Sequence, residues 1–199
     1  MNFIGAMSER PRYHANDSSL DVLNLEAHTV EIEDARARSV PPSLEREGFA
    51  ILAHASVVRD FRDAQEVTRV HIPEIRDLLQ RLSGADDVVV SGPGVLRFAE
   101  RSAPRPLSQA RRYAHYNVWR VLSPPPQDAP LAVCDIKDAP RWSFEGLVIR
   151  FNPAQRWSYF SAMTPREALV FKTCDSDAAQ PHSVPRSSVE MRAIAYWWR

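Results

Sequence analysis

The sequence lacks several features that would assign it to a class at once. No stretch approaches about 18 consecutive apolar residues, so no membrane-spanning helix and no membrane partner are expected. There is no excess charge: 25 Lys and Arg stand against 25 Asp and Glu. That balance excludes a polybasic nucleic-acid binder working by charge alone. The apolar opening, Met1 to Met7, has no basic segment before it and meets Glu9 directly. It does not read as a secretory signal, and a cytoplasmic protein is expected. Cysteine is almost missing. Cys134 and Cys174 are too few for a disulfide scaffold and too far apart for a local metal-binding pair. Each ends an apolar run beside an acidic residue and reads as a buried thiol at a strand end. Among the basic residues only Lys137 and Lys172 are lysines, a bias that reads as base composition rather than Arg-specific recognition. Ser91-Gly92-Pro93-Gly94 lacks the lysine and the helix that a phosphate loop needs, and no Gly-x-Ser-x-Gly elbow occurs.

What is present is an ordinary globular composition, 44% hydrophobic and 25% charged over 199 residues. This excludes a mostly disordered or collagen-like chain and suits one domain rather than two large ones. Residues 1–19 are polar and irregular and are expected to form a loosely held tail. Weak alternation from Asp21 to Ile32 suggests two short strands, Pro41-Pro42 opens a brief helix, and Gly48 to Leu52 reads as a strand. The clearest helix lies within about 60–84. Asp63 with Glu66 forms a capping box, and Val67, Val70, Ile75, Leu78, Leu79 and Leu82 follow at helical spacing. Pro73 requires a kink or two consecutive helices there, and Gly84 supplies the stop. His71, just before the kink, reads as a partly exposed helix residue.

From Asp86 onward the period changes to 2. Strands are expected at Val88–Val90, Tyr113–Leu122, Leu131–Cys134, Leu147–Phe151, Trp157–Phe160, Leu169–Thr173 and Ser188–Trp198, with residues 97–112 as an Arg-rich loop. Thr164-Pro165-Arg166-Glu167 reads as a capping box opening one helical turn. Many short strands separated by Pro-rich turns suggest a sandwich or barrel, and 16 prolines fit that better than a helix bundle. The five tryptophans, interleaved with arginine, could stack nucleobases. Their places inside strand patterns favour core packing, so no nucleic-acid partner is expected.

The remaining chemistry rests on histidine. A non-haem Fe(II) oxygenase uses two imidazoles and one carboxylate on one face of iron. In a jelly roll the first two ligands come as His-x-Asp on one strand, where period 2 puts both on the same face. A late histidine completes the set, and an arginine on the last strand pairs with the co-substrate carboxylate. Here His182 precedes Arg192 by ten residues, and Arg192 lies in the final strand pattern.

A set of blocks in family order carries a resemblance. They are Leu44-Glu45-Arg46-Glu47-Gly48-Phe49, Val58-Arg59-Asp60-Phe61-Arg62-Asp63, Asn117-Val118-Trp119-Arg120, Asn152-Pro153-Ala154-Gln155-Arg156-Trp157 and Met163-Thr164-Pro165-Arg166-Glu167. Lys172, Asp175-Ser176, Pro181-His182-Ser183 and Arg186 through Ala193 follow. Together they resemble the AsaB/CmcJ-like hydroxylase/desaturase family over most of residues 44–196. The resemblance implies a mainly β, α+β fold with N-terminal helices and a double-stranded β-helix (jelly-roll, cupin-like) core over residues 20–199. It also implies a tailoring enzyme of secondary metabolism, of the Fe(II)/2-oxoglutarate type, with a small natural-product intermediate as substrate. By position, His182 matches the second metal histidine and Arg192 the co-substrate arginine. Arg186 and Asn117 match further recurrent polar positions on the co-substrate side.

One departure weighs against the family's chemistry. The strand carrying Val-His-x-Asp has no counterpart, and the chain runs from Leu96 into Arg111-Arg112-Tyr113-Ala114-His115-Tyr116-Asn117. The jelly roll is therefore expected to be short by one strand. His115 is either a remnant of the lost motif, with Asn117 where a carboxylate belongs, or an unrelated inward-facing residue. An amide is a poorer Fe(II) ligand than a carboxylate; Glu100, Asp128, Asp135 and Asp175 are carboxylates that could replace it. Three readings follow. The first is oxidation with His115 and His182 on iron and Arg192 on 2-oxoglutarate. The second is metal-independent isomerisation, elimination or cyclisation with His182, His115 or Tyr116 as acid–base groups. The third is a non-catalytic binding protein whose open strand edge a homodimer covers.

Overall fold

The computed structural model describes residues 1–9, 11–12, 18–93, 99–128, 130–136, 150–177, 179, 182–185 and 191–199. Among these, the strands form three sheets. The largest is antiparallel and contains β4 (Phe49–Ala53), β9 (Glu167–Asp175), β6 (Ala110–Trp119), β11 (Met191–Trp198) and β5 (Asp87–Pro93), side by side in that order. A four-stranded sheet runs β10 (His182–Pro185), β7 (Val133–Ile136), β8 (Arg156–Tyr159), β3 (Ile32–Asp34), with β3 and β8 parallel. β1 (Asn2–Ile4) pairs with β2 (Leu25–Ala27).

Phe49, Leu169 and Phe171 of the large sheet meet Val133 of the smaller one, with Leu131 and Phe160 flanking its strands, in a single apolar cluster. The two sheets therefore face each other as a jelly-roll sandwich. Both outer faces are covered as well. Ile75, Leu78 and Leu79 of a helix lie on Ala114, Val118, Ala168, Val170, Ala193 and Ala195. The short side chains on those strands let the helix approach closely. On the other side, Phe3 of β1 packs with Cys134 and Trp157. The first residues are thus anchored rather than loose, because Phe3 and Ile4 are buried. Cys134 is fully buried, and burial pushes its thiol up to about 12; Cys174 is half-buried, and both thiols are free.

The helix begins where the capping box indicates. The Asp63 carboxylate accepts from the backbone N–H of Gln65 and Glu66 at the start of α1 (Ala64–Glu66). Pro73 has no N–H to give to residue 69. The chain meets this not by a break but by a wider π-helical turn, Val67–His71, in which Ile72 N–H donates to Val67 O, before α2 (Ile72–Ser83). Gly84 ends α2 in the left-handed region. The Pro41-Pro42 helix is reduced to one turn, Glu47 N–H donating to Ser43 O, which Gly48 terminates with φ 78°. The Thr164–Glu167 segment is also a turn leading directly into β9, its Glu167 carboxylate accepting from Thr164 N–H. In the Arg-rich 97–112 segment, a short helix α3 (Ala99–Ser102) and a 3-10 turn at Leu107–Gln109 precede β6. Residues 141–149, which include Trp142 and most of one expected strand, lie outside the described residues. No described helix is long and apolar enough to cross a membrane.

His71 is buried, not partly exposed. Its Nδ1 lies 3.0 Å from Glu74 Oε2, which also accepts from Ser56 Oγ at 2.6 Å. The same histidine nitrogen faces both groups, so this is a pinning network for residues 56–57 on the helix, not an activated serine. Arg120 closes a second knot: Nη1 donates to the carbonyls of His54 and Pro165, and Nη2 meets His54 Nδ1 at 2.6 Å. Burial holds both His54 and His71 below the usual imidazole range, with the Arg120 charge adding to the effect on His54.

Two outcomes follow. Phe171→Ala, at a fully buried site, should cost about 3–5 kcal/mol in chemical denaturation, the range for truncating a core aromatic. Because His54 and His71 stay neutral in the fold while the unfolded chain takes protons near pH ~6.5, stability is full above that pH and declines as pH falls below it. Denaturation midpoints measured from pH 7.5 to 5 should fall, and a His54→Asn/His71→Asn double variant should flatten the decline.

Candidate active site

Strand β6 decides which residues can meet. Ala114, Tyr116 and Val118 belong to the cluster under the helix. Period 2 therefore puts Tyr113, His115, Asn117 and Trp119 on the inner face, between the sheets. The contacts agree: Trp119 joins the sandwich core, and Tyr113 joins the cluster of Ile194, Tyr196 and Trp198. On β11, Met191 and Ala193 lie under the helix, so Arg192 and Ile194 face inward. The register sets Arg192 opposite Asn117 and Ile194 opposite His115. His115, Asn117 and Arg192 thus form a polar stripe on an otherwise apolar wall, with one aromatic cluster at each end. Asn117 is buried, while His115 and Arg192 are half-buried.

Tyr116 is not part of this stripe. It lies on the opposite face of the same sheet, and burial pushes its phenol up to about 12. Its expected acid–base role is corrected by strand alternation: neighbours on a strand cannot share a face. Asp175 is also on the helix side, opposite Ala114. There it accepts the Arg112 fork, Nε to Oδ1 at 3.0 Å and Nη2 to Oδ2 at 2.6 Å, and pairs with Lys172 Nζ at 3.0 Å. Burial alone would raise the Asp175 carboxyl, but Arg112, the Asp177 N–H and Lys172 hold it below the usual range. It is occupied by that cluster on the far face of the sheet and does not replace the missing carboxylate. Asp128 is exposed in the Pro-rich loop. Asp135 is on the inner side: Val133, two residues earlier on β7, faces the sandwich core, whereas Cys134 faces outward. Asp135 is buried, opposite Ser183 of β10, and lies 3.5 Å from Arg156 Nη2.

His182 opens β10, opposite Ile136. β10 is the edge of the four-stranded sheet, hydrogen-bonded to β7 and lying close to β9 of the large sheet. The side chains of His182 and Glu100 lie outside the described residues, as does Arg186. A surface cleft of about 410 Å³ lies elsewhere, between Pro125, Pro126, Pro130, Tyr159 and Phe160.

Sequence reasoning missed the Arg112–Asp175–Lys172 cluster. Its signal was present: Lys172, one of two lysines in the chain, interrupts the apolar run Leu169 to Phe171. Chemically, the inner stripe offers one imidazole, one amide and one guanidinium. That suits a carboxylate-bearing small molecule, which arginine can pair with through a fork. It does not suit iron by itself. The facial triad asks for two imidazoles and a carboxylate, and among the described residues no three of His, Cys, Asp and Glu stand close enough to hold a metal ion.

A family model described as "Oxidoreductase/YMDC permease-like domain" matches residues 1–92 and 95–196. Similar proteins include hydroxylase/desaturase CTB9 of Cercospora beticola, 26% identical over 251 aligned positions that take in 86% of this chain and 77% of that protein. Hydroxylase/desaturase efuI of Hormonema carpetanum is 23% identical, covering 84% of this chain and 83% of that protein. Hydroxylase/desaturase asaB of Aspergillus flavus is 29% identical over 43% of this chain and 56% of that protein. These agree with the resemblance carried by the sequence blocks. The alignment with CTB9 is longer than the 199 residues of this chain, so it opens gaps on this side. The fold is that of the iron and alpha-ketoglutarate-dependent endoperoxidase NvfI, with a TM-score of 0.79 at 21% identity over 100% of this chain and 96% of that one.

Asp175→Ala should lower stability by about 3–5 kcal/mol in urea denaturation, since it leaves two cations facing each other beside a core. Replacing Lys172 by Met in the same background should recover part of that loss.

Proposed function

The chain belongs to the oxidoreductase/YMDC permease-like family, and we propose that it is a tailoring enzyme of secondary metabolism acting on a natural-product intermediate. The observation that carries this reading is the inner stripe: Arg192 opposite Asn117 on the inward face of a jelly roll. Arg192 pairs with a carboxylate of a 2-oxoglutarate-type co-substrate, and Asn117 offers its amide to the same group. The aromatic walls, Trp119 and Phe171 at one end and Tyr113 at the other, exclude water around it. Desolvation there strengthens the charged pair.

Fe(II) and 2-oxoglutarate are the cofactors this reading asks for, as in the proteins named for them. His115 and His182 are the histidines proposed for the metal. The described side chains include only the first of them.

The test combines binding and turnover. Calorimetric titration with 2-oxoglutarate should show binding that Arg192→Ala weakens roughly 10- to 100-fold, the worth of a charge-assisted bond of about 1.5–3 kcal/mol. Added Fe(II) should then support oxygen uptake that His182→Ala abolishes. Unchanged 2-oxoglutarate affinity in Arg192→Ala would sink the reading. Turnover that survives chelator and anaerobic conditions would assign the site to metal-free chemistry instead.

A further inference from the structure

The ladder between β6 and β9 is interrupted once. His115 lies opposite Cys174, but the next pair is Tyr116 with Lys172, so two residues of β9, Thr173 and Cys174, answer to His115 alone. This is a β-bulge, and bulges re-aim the side chains next to them. Thr173 Oγ1 reaches the His115 carbonyl at 3.5 Å.

The bulge and the buried ions depend on each other. In an uninterrupted strand, residues three apart point to opposite faces. Lys172 and Asp175 are three apart, yet they share the helix-side face and form a 3.0 Å ion pair with side chains only 2% and 1% exposed. The extra residue between them is what makes that contact available. Arg112 then ties Asp175 to β6 on the other side of His115 through two hydrogen bonds. Its guanidinium is fixed in turn over the Trp197 ring, 4.3 Å from the centroid. A regular ladder would turn Lys172 and Asp175 to opposite faces, leaving one of them among apolar side chains of the sandwich.

We infer that Asp175 is a positioning residue: with Lys172 and Arg112 it holds the bulge closed from the helix side, and the bulge sets where His115 stands on the inner face. The charge cluster lies on the opposite face of the sheet from the inner stripe. It acts through the backbone of β9 and β6. This rests on the inner stripe being the functional site, and the test reads the histidine ring rather than turnover, so the two can fail separately.

Long-range ¹H–¹⁵N spectra of the full chain resolve histidine ring signals, and loss of one in His115→Gln identifies it. Asp175→Asn should shift the His115 ring signal. Arg112→Lys, which keeps the charge but not the fork, should shift it in the same direction by less. Arg36→Gln, which breaks the 2.8 Å pair with Glu167 at another part of the sheet, should leave it in place. If Asp175→Asn does not fold, Arg112→Lys decides alone. A folded Arg112→Lys variant whose His115 signal coincides with that of the unaltered protein would overturn the inference, as would an equal shift in Arg36→Gln. A shifted ring together with absent 2-oxoglutarate binding would leave the inference standing and remove the proposed function.

Discussion

Strand β6 is hydrogen-bonded on both sides, to β9 and to β11, and its two-residue period divides the molecule. One set of side chains, Ala114, Tyr116 and Val118, makes the floor on which α2 rests. The other, Tyr113, His115, Asn117 and Trp119, lines the space between the sheets. Core and candidate site are two faces of one strand. Neither can shift by a residue without exchanging places with the other, so the register that buries the core also fixes the site.

The chain is neutral overall and rich in arginine, and two carboxylates on the helix side are each held by several partners. Asp175 is shared by Arg112 and Lys172, and Glu74 gathers Ser56, His71 and the Val57 N–H. Such pairs contribute little net stability against an apolar alternative, yet losing one partner is costly. Their effect is to make particular registers the only comfortable ones. Around the bulge opposite His115 that constraint sits one strand thickness from the inner stripe.

The sandwich follows the iron and alpha-ketoglutarate-dependent endoperoxidase in outline, and Arg192 stands on its last strand facing inward. The inner face nevertheless carries Asn117 two residues from His115, where His-x-Asp would put a carboxylate. Asp135, across the sandwich on β7, is a described carboxylate on the inward side. Among the described residues, the inner face offers donors suited to an organic anion and no set of three groups close enough to hold a metal ion.

The sequence by itself determined the helix and most strands of the large sheet, because alternation and capping are local: Asp63, Gly84 and the run of β11 need no distant partner to be read, whereas β1 and β10 carry no such signal. It also carried the family blocks and singled out Arg192, Asn117 and His115. Four matters were decided only by tertiary structure. Tyr116 went to the helix side, Asp175 was claimed by Arg112 and Lys172, His71 was buried, and Phe3 was anchored from a segment that reads as loose. Apart from His71, whose partners Ser56, Phe61 and Glu74 are nearer in the chain, each depends on a partner tens of residues away, and strand register between such partners leaves no periodic trace in the chain. The bulge at Thr173 is the clearest case. One unpaired residue changes which side chains share a face, and only the neighbouring strand reveals that it is unpaired.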